Sequence, residues 1–282
     1  MTLKEKIAAL TGSTVTALSP MPGGTFGALY TVDLADGGRL VAKTAETAES
    51  TLAVEGWMLS YLAAHSALPV PAMHHADDAL LLMDRLDAGG ALDEDAQTHA
   101  ADLIAALHGV RGNACGLERD TVIGPLPQDN TETPRWTDFL RDRRLMKMGR
   151  AAHGAGRLPD ATLARLEAFC ARIAEFVPDP DYPALLHGDL WTGNVLAHRG
   201  RISGFIDPAI YYGDPEMDLA FSTLFGTFGE AFFARYSEHR PLTPGFFPDR
   251  RDICNLWPLL VHARLFGGSY AAQVDGILRR FV

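Results

Sequence analysis

His187-Gly188-Asp189-Leu190-Trp191-Thr192-Gly193-Asn194, followed after twelve residues by Asp207, decides how the rest of the chain is read. Asp189 and Asn194 stand five positions apart, so one loop presents both, and a short hairpin can return Asp207 to the same place. Two carboxylates and an amide gathered in this way supply the hard oxygen donors that Mg²⁺ demands beside a polyphosphate, while Asp189 faces an incoming hydroxyl. The apolar run Ala184-Leu185-Leu186 reads as a buried strand leading into the loop, and Val195–Ala197 with Arg201–Ile206 as a hairpin turning at Arg199-Gly200. An aspartate with an ordinary pKa of about 3.9 is a weak base. Asp189 is therefore expected to position the hydroxyl and accept its proton late, Asn194 and Asp207 to hold Mg²⁺, and catalysis to be mainly alignment and charge neutralisation.

Upstream, Leu3, Ile7 and Leu10 predict a short helix, and Val15 to Thr44 changes to strand alternation. Gly23-Gly24-Thr25-Phe26-Gly27 makes one turn and Ala35-Asp36-Gly37-Gly38 another. Read alone, the first is an ordinary hairpin turn. Lys43, near the end of the third strand, stands where kinase-like folds place the lysine that contacts phosphates. That makes Gly23, Gly24 and Thr25 candidates to bring backbone N–H groups against a nucleotide. A helix predicted over Thr47–Ala64 carries Glu55, twelve residues after Lys43, where an ion pair would orient the ammonium. Two strands follow, Ala72–Ala76 and Ala79–Met83, then Gly89-Gly90 in the manner of a hinge, so Asp84 to Leu86 would face an adenine ring.

Beyond Leu92 the chain is expected to be mostly helical. His108, alone on its helix, reads as structural, and residues 112–133 show no period and read as a long loop. The arginine-dense helix Trp136–Met148 is expected to present a solvated cationic face, or a rim attracting an anionic substrate or product. His187 is expected to brace the loop through a backbone hydrogen bond. Asp214 should cap the helix that Pro215 begins, and Asp218 should receive backbone N–H groups of the catalytic loop. Trp191 is either a core aromatic or a flat wall beside Asp189.

Composition sets outer limits. The 282 residues, 47% hydrophobic and 21% charged, suffice for one large domain or two lobes. With 35 acidic against 25 basic residues the formal charge is -10, which argues against nucleic-acid or anionic-membrane partners. Cys115, Cys170 and Cys254 are dispersed and form no CxxC pair, so reduced thiols in a cytoplasmic protein are expected. Neither a signal peptide nor a run of roughly 18 apolar residues is visible.

The loop HGDLWTGN, DPAIYYGDPEMDLA (Asp207 to Ala220), IGPLPQDN (Ile123 to Asn130) and WTDFLRDRRL (Trp136 to Leu145) together resemble the fructosamine kinase (ketosamine-3-kinase) family, within the aminoglycoside phosphotransferase-like kinases. The resemblance covers nearly the whole chain. It implies an α+β, two-lobed protein kinase-like fold: a nucleotide-binding lobe over residues 1–85, with an antiparallel sheet and one main helix, and a helical catalytic lobe over 86–282. It implies Asp189 as catalytic base, Asn194 and Asp207 as Mg²⁺ ligands, Lys43 with Glu55 on the phosphates of ATP, and Met83, Asp84 and Leu86 in the adenine hinge. The activity implied is ATP-dependent phosphorylation of the sugar 3-hydroxyl of a ketosamine, free or as a glycated protein side chain. The unstable product would release the amine, a deglycation role, and Trp191 narrows the acceptor towards a sugar–amine adduct. The alternatives are another small-molecule kinase of this fold, for an aminoglycoside, choline or homoserine, and a catalytically silent ATP-binding protein.

Overall fold

The structure is a computed structural model that describes residues 1–22, 27–46 and 50–282. Helix α1 (Leu3–Thr11) opens on a reciprocal capping box between Thr2 and Glu5. Strands β1 (Val15–Met21), β2 (Ala28–Leu34) and β3 (Arg39–Thr44) follow, then helix α2 (Leu52–His65) and strands β4 (Met73–Ala76) and β5 (Leu80–Asp84). The five strands pair antiparallel in the order β1-β2-β3-β5-β4. Strand β5 is apolar on both faces and divides two cores. Leu80 and Leu82 join Ile7, Val32, Leu40 and Ala42, whereas Leu81 and Met83 join Val41, Leu52 and Leu59 beneath α2.

Helix α2 starts at Leu52, later than the expected Thr47. Residues 47–49 lie outside the described residues, and the Ser50 hydroxyl accepts the Leu52 N–H (3.2 Å), a local bond that competes with helix. The helix comes close to the sheet at Gly56, where a Cβ would strike Ala76 and Leu81. On its other side it reaches the C-terminal, mainly helical half of the chain: Arg119 stacks over Trp57 (4.6 Å), and the hydroxyls of Tyr61 and Tyr212 meet at 3.3 Å. Glu55 thus sits on a helix gripped from both sides.

After Asp84 the chain passes Gly89-Gly90 into a mainly helical half. Its elements are α3 (Glu94–Leu107), a hairpin of β6 (Thr121–Ile123) and β7 (Leu126–Gln128), then α4 (Trp136–Phe139), continuous through a π-helical segment (Leu140–Leu145) with α5 (Met146–Gly154). Next come α6 (Asp160–Ala171), β8 (Ala184–Leu186), β9 (Val195–His198), β10 (Arg201–Phe205), β11 (Tyr211–Gly213), α7 (Glu216–Leu224), α8 (Glu230–His239), α9 (Arg251–Phe266) and α10 (Tyr270–Leu278). Strand β8 pairs with β11, and β9 with β10 across Arg199 and Gly200, both at positive φ as a tight hairpin turn requires. Sheet and helices together make the two-lobed, protein kinase-like fold expected. Among the described residues no helix is long and apolar enough to cross a membrane, and the three cysteines are buried and free.

Two expectations are corrected. Residues 112–133 are not a loop throughout, because β6 and β7 pair within them. Nor does the arginine-dense helix simply present a charged face. Arg144 is fully buried, donating to the Asp129 carbonyl (2.6 Å) and Asn130 Oδ1 (2.7 Å), with its guanidinium 4.1 Å from the Tyr211 ring and 4.5 Å from that of Phe139. Arg143 and Lys147 reach the Asp129 carboxylate, and Arg141 pairs with Asp138 and Asp142.

Candidate active site

Strand β8 delivers the catalytic loop. At Gly188 the backbone turns to φ +81°, and a Cβ there would run into the Ala209 carbonyl, so the loop can make this bend only with glycine. Asp218, on the first turn of α7, receives the bend: Oδ1 accepts the Gly188 N–H (2.8 Å), and Oδ2 accepts the His187 N–H (2.8 Å) and His108 Nε2–H (3.2 Å). Burial holds both histidines below their usual range, so each is a neutral ring with one donor and one acceptor nitrogen. His187 donates from Nε2 to the Ile206 carbonyl (3.1 Å) and accepts the Asp189 N–H at Nδ1 (3.3 Å). His108 accepts from the Tyr236 hydroxyl (2.8 Å). The buried Asp214 accepts the Glu216 N–H (2.9 Å) at the start of α7.

The loop closes through a single 3₁₀ turn, Thr192–Asn194. Asn194 then turns its amide back, donating to the Asp189 carbonyl and to Asp189 Oδ2, each at 2.9 Å. Its Oδ1 makes no hydrogen bond among the described residues. Burial pushes the Asp189 carboxyl up to about 8, against the Asn194 bond and helped by the charges of Asp207 and Asp218. Asp207 adopts φ +50°, a left-handed backbone that aspartate tolerates better than most side chains, at the exit of β10.

Across the cleft, Lys43 of β3 bonds Glu55 Oε1 of α2 (2.5 Å) and Asp207 Oδ1 together. Burial alone would lower the Lys43 ammonium, but Glu55 and Asp207 outweigh it and hold its pKa above the ordinary value. Burial pushes Glu55 up to about 7 in spite of Lys43. Asp207 would also be raised by burial, yet Lys43 keeps it below the usual carboxylate range. These five residues line one cleft of about 200 Å³ between the sheet and the helical half.

Trp191 lines the same cleft, 37% exposed and edge-on to Phe225 (5.8 Å), and so is not a core aromatic. Met83 and Asp84 end β5 and Leu86 follows it, all three outside that lining; the Asp84 and Arg85 N–H groups donate to the Ala72 and Arg39 carbonyls, both at 2.9 Å. Gly23, Gly24 and Thr25 lie outside the described residues. The cleft also uses residues that the sequence did not single out: Val122, Ile123 and Gly124 of the β6–β7 hairpin, and His262, Leu265 and Phe266 at the end of α9. For the last group a cue existed in a large apolar residue, Phe266, placed directly before Gly267-Gly268.

The whole chain, residues 1–282, matches the model of the family described as fructosamine kinase. It is similar to a probable ketoamine kinase of Synechocystis sp., 35% identical over 218 residues that cover 76% of this chain and 72% of that one. A chloroplastic protein-ribulosamine 3-kinase of Arabidopsis thaliana is 31% identical over 219 residues, covering 74% and 65%. Among solved structures, one assigned as a fructosamine-3-kinase from Thermobifida fusca YX-ER1 superposes with a TM-score of 0.88 at 31% identity, covering 99% of this chain and 97% of that one. The aminoglycoside phosphotransferase APH(4)-Ia, in a ternary complex with ADP and hygromycin B, shares the fold at 18% identity, with a TM-score of 0.69 and coverage of 99% and 97%.

Proposed function

The chain belongs to the fructosamine kinase family, and on that premise we propose that it transfers the γ-phosphoryl group of ATP to the 3-hydroxyl of a ketosamine, with Mg²⁺ as cofactor. The observation that carries the reading is the convergence of Lys43, Glu55, Asp189, Asn194 and Asp207 on one cleft. The donor set suits Mg²⁺. Glu55, Asp189 and Asp207, when ionised, outnumber Lys43, and the Asn194 amide oxygen accepts no hydrogen bond among the described residues. Among the described residues no group of three or more His, Cys, Asp or Glu could hold a metal by itself.

In this reading Asn194 and Asp207 hold the ion, and Lys43, oriented by Glu55, takes the phosphates. Bound Mg-ATP supplies the phosphoryl group and a divalent charge that spreads its negative charge. Asp189 accepts a hydrogen bond from the acceptor hydroxyl and takes its proton late, with Asn194 fixing the carboxylate rotamer. Adenine goes against Asp84 to Leu86, where the Leu86 N–H has no partner among the described residues. Release of the amine from the phosphorylated adduct would make the enzyme a deglycating one.

The test is to incubate the protein and Mg-ATP with fructosyl-, ribulosyl- and erythrulosyl-amines, beside an aminoglycoside and choline, and to locate new phosphate by NMR. A 3-phosphate on a ketosamine is expected. Turnover of no ketosamine, or phosphate on another hydroxyl, would overturn the reading.

A further inference from the structure

Of the seven large hydrophobic side chains exposed among the described residues, Trp191 and Phe266 line the catalytic cleft and Phe225 lies against Trp191. Exposed apolar side chains are usually scattered singly. Here they are joined into one surface. Phe225 lies edge-on to Trp191, and the His262 ring stands between Phe225 (5.2 Å) and Phe266 (5.7 Å), with Tyr270 behind it (5.0 Å). His262 bonds the Pro258 carbonyl through Nδ1 (2.7 Å), and its burial favours the neutral ring. The charged side chains that line the cleft, Lys43, Glu55, Asp189 and Asp207, all belong to the catalytic cluster; no other Asp, Glu, Lys or Arg lines it among the described residues.

In a ketosamine the amine nitrogen is bonded to C1, four bonds from the oxygen on C3. With that hydroxyl on Asp189, the substituent on nitrogen begins just outside the polar cluster, and Trp191 is only two residues from Asp189. Sugar hydroxyls need polar partners, which the aromatic surface does not offer. An ammonium or carboxylate placed there meets no charged side chain among the described residues lining the cleft outside the catalytic cluster, whereas an aromatic or aliphatic group finds ring faces and edges.

Resting on the ketosamine kinase reading, we propose that the Trp191–Phe225–His262–Phe266 surface receives the amine's own substituent and selects small ketosamines in which that substituent is aromatic or aliphatic rather than charged.

The experiment compares, with the intact protein and Mg-ATP, adducts of one ketose with benzylamine, methylamine and glycine. The benzylamine adduct is expected to have a KM about tenfold below that of the glycine adduct, the scale of one apolar contact in a pocket. Phe266→Ala should bring the benzylamine and methylamine KM values together while Phe266→Leu keeps most of the difference. Phe266 is 49% exposed, so neither change removes core packing. Turnover of all adducts without preference, preference for the glycine adduct, or a Phe266→Ala effect equal for benzylamine and methylamine would overturn the inference and leave the kinase reading standing. Turnover of no adduct would overturn both.

Discussion

Asp218→Asn tests whether a single buried carboxylate holds the catalytic loop in position. Asp218 is 1% exposed and accepts from the Gly188 N–H, the His187 N–H and His108 Nε2–H. An amide keeps one acceptor oxygen and turns the other into a donor, so at least one of these N–H groups must face another donor. A buried donor without an acceptor costs about 1–3 kcal/mol, and a lost hydrogen bond to a charged group about 1.5–3 kcal/mol. The two costs describe the same bond and overlap, so the expected destabilisation is about 2–3 kcal/mol. Asp218→Ala strands both backbone donors and opens a void, and should cost about 3–5 kcal/mol. Urea unfolding reads this as a lower midpoint at unchanged slope. Because Asp189 follows Gly188 directly, kcat should also fall by about tenfold or more, as small misplacements of a reacting group do. The KM for ATP should move little, since Lys43 and Glu55 stand on β3 and α2. An Asn variant with the parent's midpoint and kcat would refute the argument; a lower midpoint with the parent's kcat would reduce Asp218 to a structural cap.

Asp189→Ala is expected to abolish turnover while a fluorescent nucleotide still binds, and activity like the parent's would remove Asp189 as the base. Lys43→Met should lower kcat/KM for ATP by about a hundredfold and also destabilise the fold, because Glu55 loses its partner; adding Glu55→Gln should restore stability but not activity, and restored activity would count against the phosphate role. Burial holds folded His108 below the ordinary histidine value, outweighing Asp218, while Arg240 adds to the shift and the Tyr236 hydroxyl occupies its other nitrogen. The unfolded chain therefore binds the extra proton first: this contribution is fully present above about pH 6.5 and is lost as pH falls from there towards the folded pKa. Urea midpoints at pH 7.5 and 5.5 should show a smaller difference in His108→Gln, and an equal difference would contradict the assignment.

What could be read from sequence was whatever repeats locally or whatever chemistry forces. Strand β2 alternates over Tyr30-Thr31-Val32-Asp33-Leu34, long enough for a period to show, and β1 and β3, seven and six residues long, flank it between Gly and Asp turns. The catalytic loop was readable because phosphoryl transfer needs those residue types at those spacings. The β6–β7 hairpin was not, since three-residue strands carry no period and its fixing bonds are distant in sequence. Gln128 donates to the Ala209 carbonyl (3.0 Å), and the Thr121 hydroxyl to the Ile210 carbonyl (3.3 Å). Arg144 was hidden in the opposite way, because in sequence it looks like Arg141, Arg143 and Lys147. The cue that separates it is phase. Leu140, Arg144 and Met148 recur every four residues, and all three are buried. A guanidinium on an apolar stripe must find acceptors inside, and Arg144 finds them at Asp129 and Asn130, the end of the hairpin segment. Arg143 and Lys147 grip the same aspartate from outside. The segments Ile123–Asn130 and Trp136–Leu145, separate stretches in the sequence, are therefore one brace. It fixes the hairpin whose residues Val122, Ile123 and Gly124 line the same cleft as Asp189 and Asn194.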